Sequence, residues 1–185
     1  MKKTLLAASM VAAVSLASAN TYATDEMGGY VGVSFGKTTS DALDYLDAIA
    51  GVSVDDSDTG YKVFAGYNFN ANFAVEGFYA DLGEISATDG VDKISVDVDS
   101  LGVALLGKLP VGEKAEVFAK VGYQIWDAEM SENGTKIADD DGSDVMYGIG
   151  AAYNINNVSI RAEYERFALD DEDLNLLSVG VAYNF

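Results

Sequence analysis

The chain has 185 residues, 30 acidic against 11 basic side chains, a formal charge of −19, one proline, no cysteine and no histidine. This balance excludes a binder of nucleic-acid phosphates, which needs a basic footprint. The missing cysteines exclude a disulfide framework and thiol chemistry. Apolar residues still make up 49% of the chain, which fits apolar side chains turned to lipid and charge held in loops.

Taken in order, Lys2 and Lys3 precede an apolar run from Leu5 to Leu16 and then Ala17-Ser18-Ala19. A basic start, a short apolar stretch and an A-x-A site predict a cleaved secretory signal over 1–19, with Ala23 as the alternative cleavage position. The run is shorter than the roughly 18 apolar residues of a membrane-spanning helix. Residues 20–185 are then the mature domain.

The first strand sets Val31, Val33 and Phe35 on one face against Tyr30, Gly32, Ser34 and Gly36 on the other. That period of two recurs along the chain. The apolar files are Tyr61, Val63, Ala65, Tyr67, Phe69, then Phe73, Val75, Gly77, Tyr79, then Leu101, Val103, Leu105, Leu109. Next come Val117, Ala119, Val121, Tyr123, Ile125, then Val145, Tyr147, Ile149, Ala151, Tyr153, and Val158, Ile160, Ala162, Tyr164. The last strand carries Leu177, Val179, Val181, Tyr183 and Phe185 to the end of the sequence. Eight such segments of about ten residues each suit crossing a bilayer at a tilt.

The connections alternate. Asn70–Asn72, Pro110–Lys114 and Asn154–Asn157 are short, with turn-type residues. The stretches near 38–59, 81–99, 127–144 and 167–174 are longer and acidic. Tyrosine and phenylalanine gather at both ends of the apolar band, as in aromatic girdles. The expected fold is all-β: an eight-stranded antiparallel up-and-down transmembrane barrel in the outer membrane of a Gram-negative bacterium. Tyr183 and Phe185 mark its membrane-insertion terminal strand. A soluble barrel would instead want its large apolar residues inside.

The segments Tyr67 to Gly83, Phe118 to Trp126 and Arg161 to Tyr164, with the terminal strand, resemble the transmembrane barrel of the outer-membrane protein A family. The resemblance runs over essentially the whole mature chain. It implies a barrel-only member without the peptidoglycan-binding domain of the long members, so cell-wall tethering is not expected.

By parity the inward charges are Lys62, Glu76, Lys108, Glu116, Lys120, Arg161, Glu163 and Glu165, four of each sign. Counting up from the short turns pairs them in layers: Lys108 with Glu116, Glu76 with Arg161, Lys120 with Glu163, and Lys62 with Glu165. A lumen of eight strands is filled by side chains, and charges buried in it need partners. The family resemblance independently implies that Glu76, Lys108, Arg161 and Glu163 belong to an internal ion-pair network, discussed in that family as a switchable gate. Phe64, Phe78, Leu106, Phe118 and Trp126 also point inward and favour a plugged lumen. A wide diffusion pore would take roughly 16 or more strands.

The acidic loops read first as solvated charge. A sharper reading has divalent cations bridge their carboxylates to lipopolysaccharide phosphates. Asp56-x-Asp58-x-Gly60 lacks the remaining ligands of a calcium loop, so no protein metal site and no cofactor are expected. Within the first loop, Leu43, Leu46 and Ala50 predict a short amphipathic helix over 41–50. With no histidine as general base, no enzyme is expected. The expected function is structural and surface display, by a monomer in contact with outer-membrane lipid and an unidentified external partner. A narrow gated ion channel or small-solute porin is the alternative.

Overall fold

A computed structural model of the chain describes residues 27–40, 53–55, 57–89, 92–132, 135–169 and 172–185. The signal segment 1–19 and the helix expected over 41–50 lie outside the described residues.

The strands are β1 (Gly28–Ser40), β2 (Ser53–Asp55), β3 (Ser57–Asn68), β4 (Phe73–Asp89), β5 (Asp92–Val111), β6 (Ala115–Glu132), β7 (Thr135–Ile155), β8 (Val158–Leu169) and β9 (Glu172–Asn184). Eight of them form a closed antiparallel ring in the order β4-β3-β1-β9-β8-β7-β6-β5, with β5 returning to β4. Closure leaves the ring without an edge, which is what a sheet needs inside lipid. The short β2 stands outside the ring, paired to β4 at Ser86–Thr88.

The alternation in sequence becomes an alternation of inside and outside. Leu105 and Ile149 are 62% and 63% exposed, whereas Phe64 and Phe78 on the other file are 1% exposed. A continuous outer wall of exposed aliphatic and aromatic side chains has lipid as its natural solvent. The interior is packed: Leu82, Met146, Phe167, Leu174 and Leu176 fill it together with Phe64 and Phe78. Phe78 and Phe167 meet edge to face at 6.0 Å.

The inward rings fit because small residues face them. Phe64 lies opposite Gly32, Tyr30 opposite Gly66, Phe78 opposite Gly102, Phe118 opposite Gly150 and Trp126 opposite Gly142. A β-carbon at Gly102 would stand 2.6 Å from the Phe78 ring.

The short connections are tight turns built by their own side chains. Asn70 Oδ1 accepts the N–H groups of Asn72 and Phe73 at 2.8 and 2.9 Å. Asn156 takes a φ of 54° and Gly112 one of 73°, the left-handed region that asparagine and glycine enter most readily.

The long connections differ from expectation. Stretches 81–99, 127–144 and 167–174 are mostly strand: β4 runs to Asp89 and β5 starts at Asp92, β6 runs to Glu132 and β7 starts at Thr135, and β8 runs to Leu169. Their outer faces carry charge while only a few residues, Leu82, Val98, Phe167 and Leu174, stay buried on the inner side at their base, so no long apolar period marks them. Their ladders continue the hydrogen bonding begun in the barrel below. A bulge between Asp81 and Glu84 bends β4 there, with Gly83 at a φ of 82° and its N–H donated to Asp81 Oδ1 at 2.9 Å.

Candidate functional site: the charged lumen and the protruding wall

Six of the eight inward charges meet across the lumen. Lys62 comes from β3, Glu76 from β4, Lys120 from β6, and Arg161, Glu163 and Glu165 from alternate positions of β8. Lys62 Nζ lies 2.9 Å from Glu163 Oε2 and 2.6 Å from Glu165 Oε2. Lys120 Nζ reaches Glu76 Oε1 at 3.0 Å and Glu165 Oε1 at 3.1 Å, and also pairs with Glu163. Arg161 Nη1 donates to Glu76 Oε2 at 2.9 Å. Its Nε stands 3.0 Å from Glu163 Oε1, close enough for an ion pair but off hydrogen-bond alignment.

Three bases and three acids cancel, so the buried set is neutral. Neutrality matters because an unpaired charge in low dielectric costs several kcal/mol. Aromatic rings hold the cations further: the Arg161 guanidinium lies 4.5 Å from the Phe64 ring centre and 4.9 Å from that of Phe118.

Lys108 and Glu116 stand apart from the six. They pair at 3.0 Å near the β5–β6 turn, with side chains 12% and 17% exposed, and Lys108 also donates to Asn68 Oδ1 at 3.1 Å. Between this pair and Arg161 lies a recess of about 20 Å³, room for a single water. Because water reaches the pair, Lys108→Ala is expected to cost less than about 1 kcal/mol, read as the shift in urea midpoint of the refolded barrel.

Tyr183 and Phe185 sit at the turn end of β9, rings 5.4 Å apart and edge to face, half exposed on the outer wall. β9 closes the ring between β1 and β8.

Some members were not singled out from sequence. The Tyr30 hydroxyl donates to Glu76 Oε2 at 3.0 Å; its inward parity was readable, but a phenol carries no charge to draw notice. Arg166 grips Asp173 through Nε and Nη2 at 3.0 and 2.7 Å, and Asp173 falls in the acidic stretch near 167–174 that reads as a connection.

Beyond the apolar band, β4 to β7 continue as a protruding four-stranded wall. Pairing lines its carboxylates up in two rows, Asp81–Asp99–Asp127–Asp141 and Glu84–Asp97–Glu129–Asp139, each residue directly opposite the next. Like charges at such positions repel. Burial first, then Glu84, Asp81, Glu129 and Asp99, push the Asp97 carboxyl above the usual carboxylate range. Lys136 offers one base, 3.0 Å from Glu129 and 3.9 Å from Asp139. Among the described residues no group of three acids is set to hold a metal ion.

With this geometry in view, residues 6–185 match the model of the outer membrane protein beta-barrel domain. The chain is 27% identical over 188 residues to the attachment invasion locus protein of Yersinia pseudotuberculosis serotype I (strain IP32953), covering 100% of this chain and 98% of that one. It is 28% identical over 195 residues to its Yersinia enterocolitica counterpart, covering 100% of both. Among solved structures, Ail of Yersinia pestis in complex with the heparin analogue sucrose octasulfate superimposes with a TM-score of 0.55 at 20% identity, over 85% of this chain and 99% of that one. Neisserial surface protein A gives a TM-score of 0.58 at 15% identity, over 87% of this chain and 100% of that one. These structural likenesses show the fold.

Proposed function

The chain belongs to the outer membrane protein beta-barrel domain family and resides in the outer membrane, and from that premise we propose that it is a surface-attachment protein. In this reading a monomeric barrel, released from its signal over 1–19, holds the acidic wall outside the cell for contact with a partner. The observation that carries it is the height of β4 to β7: the paired strands continue beyond the apolar band while charge and aromatic rings fill the lumen beneath. The likeness to attachment invasion locus proteins supports the same role.

The lumen charges act as a plug here. Each of the six side chains has an opposite charge within reach, so a passing ion would have to displace a partnered charge without gaining an excess of either sign. Catalysis has no place in the proposal, because the chain lacks histidine. The sulfated ligand of the Yersinia pestis protein is not carried across, since rows of carboxylates repel a polyanion. Where the rows meet the lipid headgroups, divalent cations can bridge them to lipopolysaccharide phosphate.

The test compares cells displaying the full chain with cells whose β6–β7 hairpin lacks Glu129–Asp139 and is closed by Asn-Gly. Attachment to host-cell monolayers should fall to background with the shortened hairpin, and the refolded full chain should stay silent in planar bilayers. Unchanged attachment would remove the surface-attachment reading. Reproducible small openings altered by Arg161→Ala would replace it with a gated channel.

A further inference from the structure

Among the described residues seven buried side-chain nitrogen and oxygen atoms have no hydrogen-bond partner, and six of the seven lie on three neighbouring strands. They are Arg161 Nε and Nη2 and Glu163 Oε1 on β8, Ser178 Oγ on β9, and Ser34 Oγ and Thr38 Oγ1 on β1. Register sets them in consecutive rows across the lumen face: Arg161–Gly180–Ser34, then Glu163–Ser178–Gly36, then Glu165–Leu176–Thr38. The row beneath, Ser159–Ala182–Gly32, belongs to the short-turn end, where Ser159, Ala182 and Arg161 line the recess described above.

This sector is built differently from the rest of the lumen. Elsewhere a glycine faces an aromatic ring, as Gly102 faces Phe78 and Gly150 faces Phe118. Here hydroxyl residues lean over the glycines. A β-carbon at Gly180 or Gly36 would stand 2.7 Å from the β-carbon of Ser34 or Ser178, and one at Gly60 would stand 2.7 Å from Thr38 Oγ1. An alanine would lean as closely as a serine, so packing alone does not call for hydroxyls. A serine also takes up far less of the lumen than a ring does.

A buried polar group that forgoes its hydrogen bond carries the full cost of its desolvation, and water is the usual partner where no protein group reaches. Charge decides the occupant. A cation would meet Lys62 and Arg161, and an anion would meet Glu163 and Glu165. A small neutral molecule that both donates and accepts suits Arg161 Nη2, Glu163 Oε1 and the three hydroxyls alike. We infer that the β8–β9–β1 sector of the lumen holds a single file of bound water, running from the recess at Arg161 to Thr38. The file fills from the short-turn end, periplasmic in such a barrel, because Lys108 and Glu116 at the recess have side chains 12% and 17% exposed. Its other end is closed: Leu176 and Phe167 are fully buried and Leu174 is 2% exposed. The six-charge network is thus hydrated from one side, while each water is tied to fixed groups and opens no path through the plug. The inference stands apart from the attachment reading, which concerns the wall.

The experiment uses the refolded full chain in lipid nanodiscs, with water itself as the probe. Magnetisation transfer from water in NMR spectra should reach the side-chain protons of Ser34, Thr38 and Ser178, but not those of Ser100, whose hydroxyl is donated to Gln124. Thr38→Val keeps the shape and removes the hydroxyl. It should abolish transfer at position 38 and lower the urea midpoint, because a bound water loses a partner. Exchanging an idle, unsatisfied hydroxyl for a methyl group would instead raise the midpoint. A folded barrel with no transfer at Ser34 and Ser178, or a raised midpoint for Thr38→Val, overturns the file. Ala182→Leu narrows the entrance and should slow exchange of the bound water, whereas Leu174→Ala opens the far end and should speed it. Exchange that neither variant changes overturns filling from one end.

Discussion

Lys120→Ala is expected to lower the unfolding free energy of the refolded barrel by about 3–5 kcal/mol, the usual cost of breaking a buried ion network from one side. Lys120 is the hub of the set, with Glu76, Glu163 and Glu165 all on its ammonium group. Its removal leaves three buried carboxylates facing Lys62 and Arg161 alone, in a lumen too tightly packed for water to enter freely. Arg161→Ala should cost somewhat less, about 3 kcal/mol, because Glu76 keeps Lys120 and the Tyr30 hydroxyl. Since the residues share partners, Lys120→Ala with Glu163→Ala should cost less than the two singles added together. Urea midpoints measure all of this. A Lys120→Ala midpoint no lower than that of Lys108→Ala would show that the lumen charges contribute no more than a half-solvated pair.

The second large effect concerns a residue with no side chain at all. Gly150→Ala is expected to destabilise by about 2 kcal/mol, an overpacking cost. Its new β-carbon would lie 2.7 Å from Phe118 Cε2 and 2.9 Å from the backbone oxygen of Ala162. The oxygen is fixed by the β7–β8 ladder, and the ring cannot turn aside without leaving the Arg161 guanidinium. Gly107→Ala is the matched control, since a β-carbon there meets nothing within 4 Å, and its effect should stay within about 0.5 kcal/mol. Adding Phe118→Leu should recover part of the loss at Gly150. Equal effects at Gly150 and Gly107 would mean that ring-on-glycine packing does not hold these strands together.

Much of the barrel was readable because lipid and lumen are such different solvents. Within the membrane each strand must sort its side chains by parity. Leu105 and Lys120, or Ile149 and Glu163, therefore announce their faces before any fold is known. The short turns were readable for a local reason too, since Asn70 builds its turn by bonding its own neighbours.

That logic stops where water begins. Above the band the outer face of β4 to β7 needs no apolar residues and the inner face keeps only a few, such as Leu82 and Val98, so Asp81–Asp89, Asp92–Asp99, Asp127–Glu132 and Thr135–Asp144 carried the composition of loops while forming ladders. The pairing of that wall was hidden for the same reason, and also because a ladder is defined by what lies beside a strand rather than by the strand's own residues.

By itself, the sequence determined the class of solvent on each face, the eight-strand count of the ring and the set of residues that point inward. Only the tertiary structure decided which inward residues meet. Lys62 and Glu163 stand 101 positions apart, and Glu76 and Arg161 85; closure and stagger of the ring bring them together. Parity is a property of one strand and its solvent. Partnership is a property of the closed sheet, and no single strand contains it.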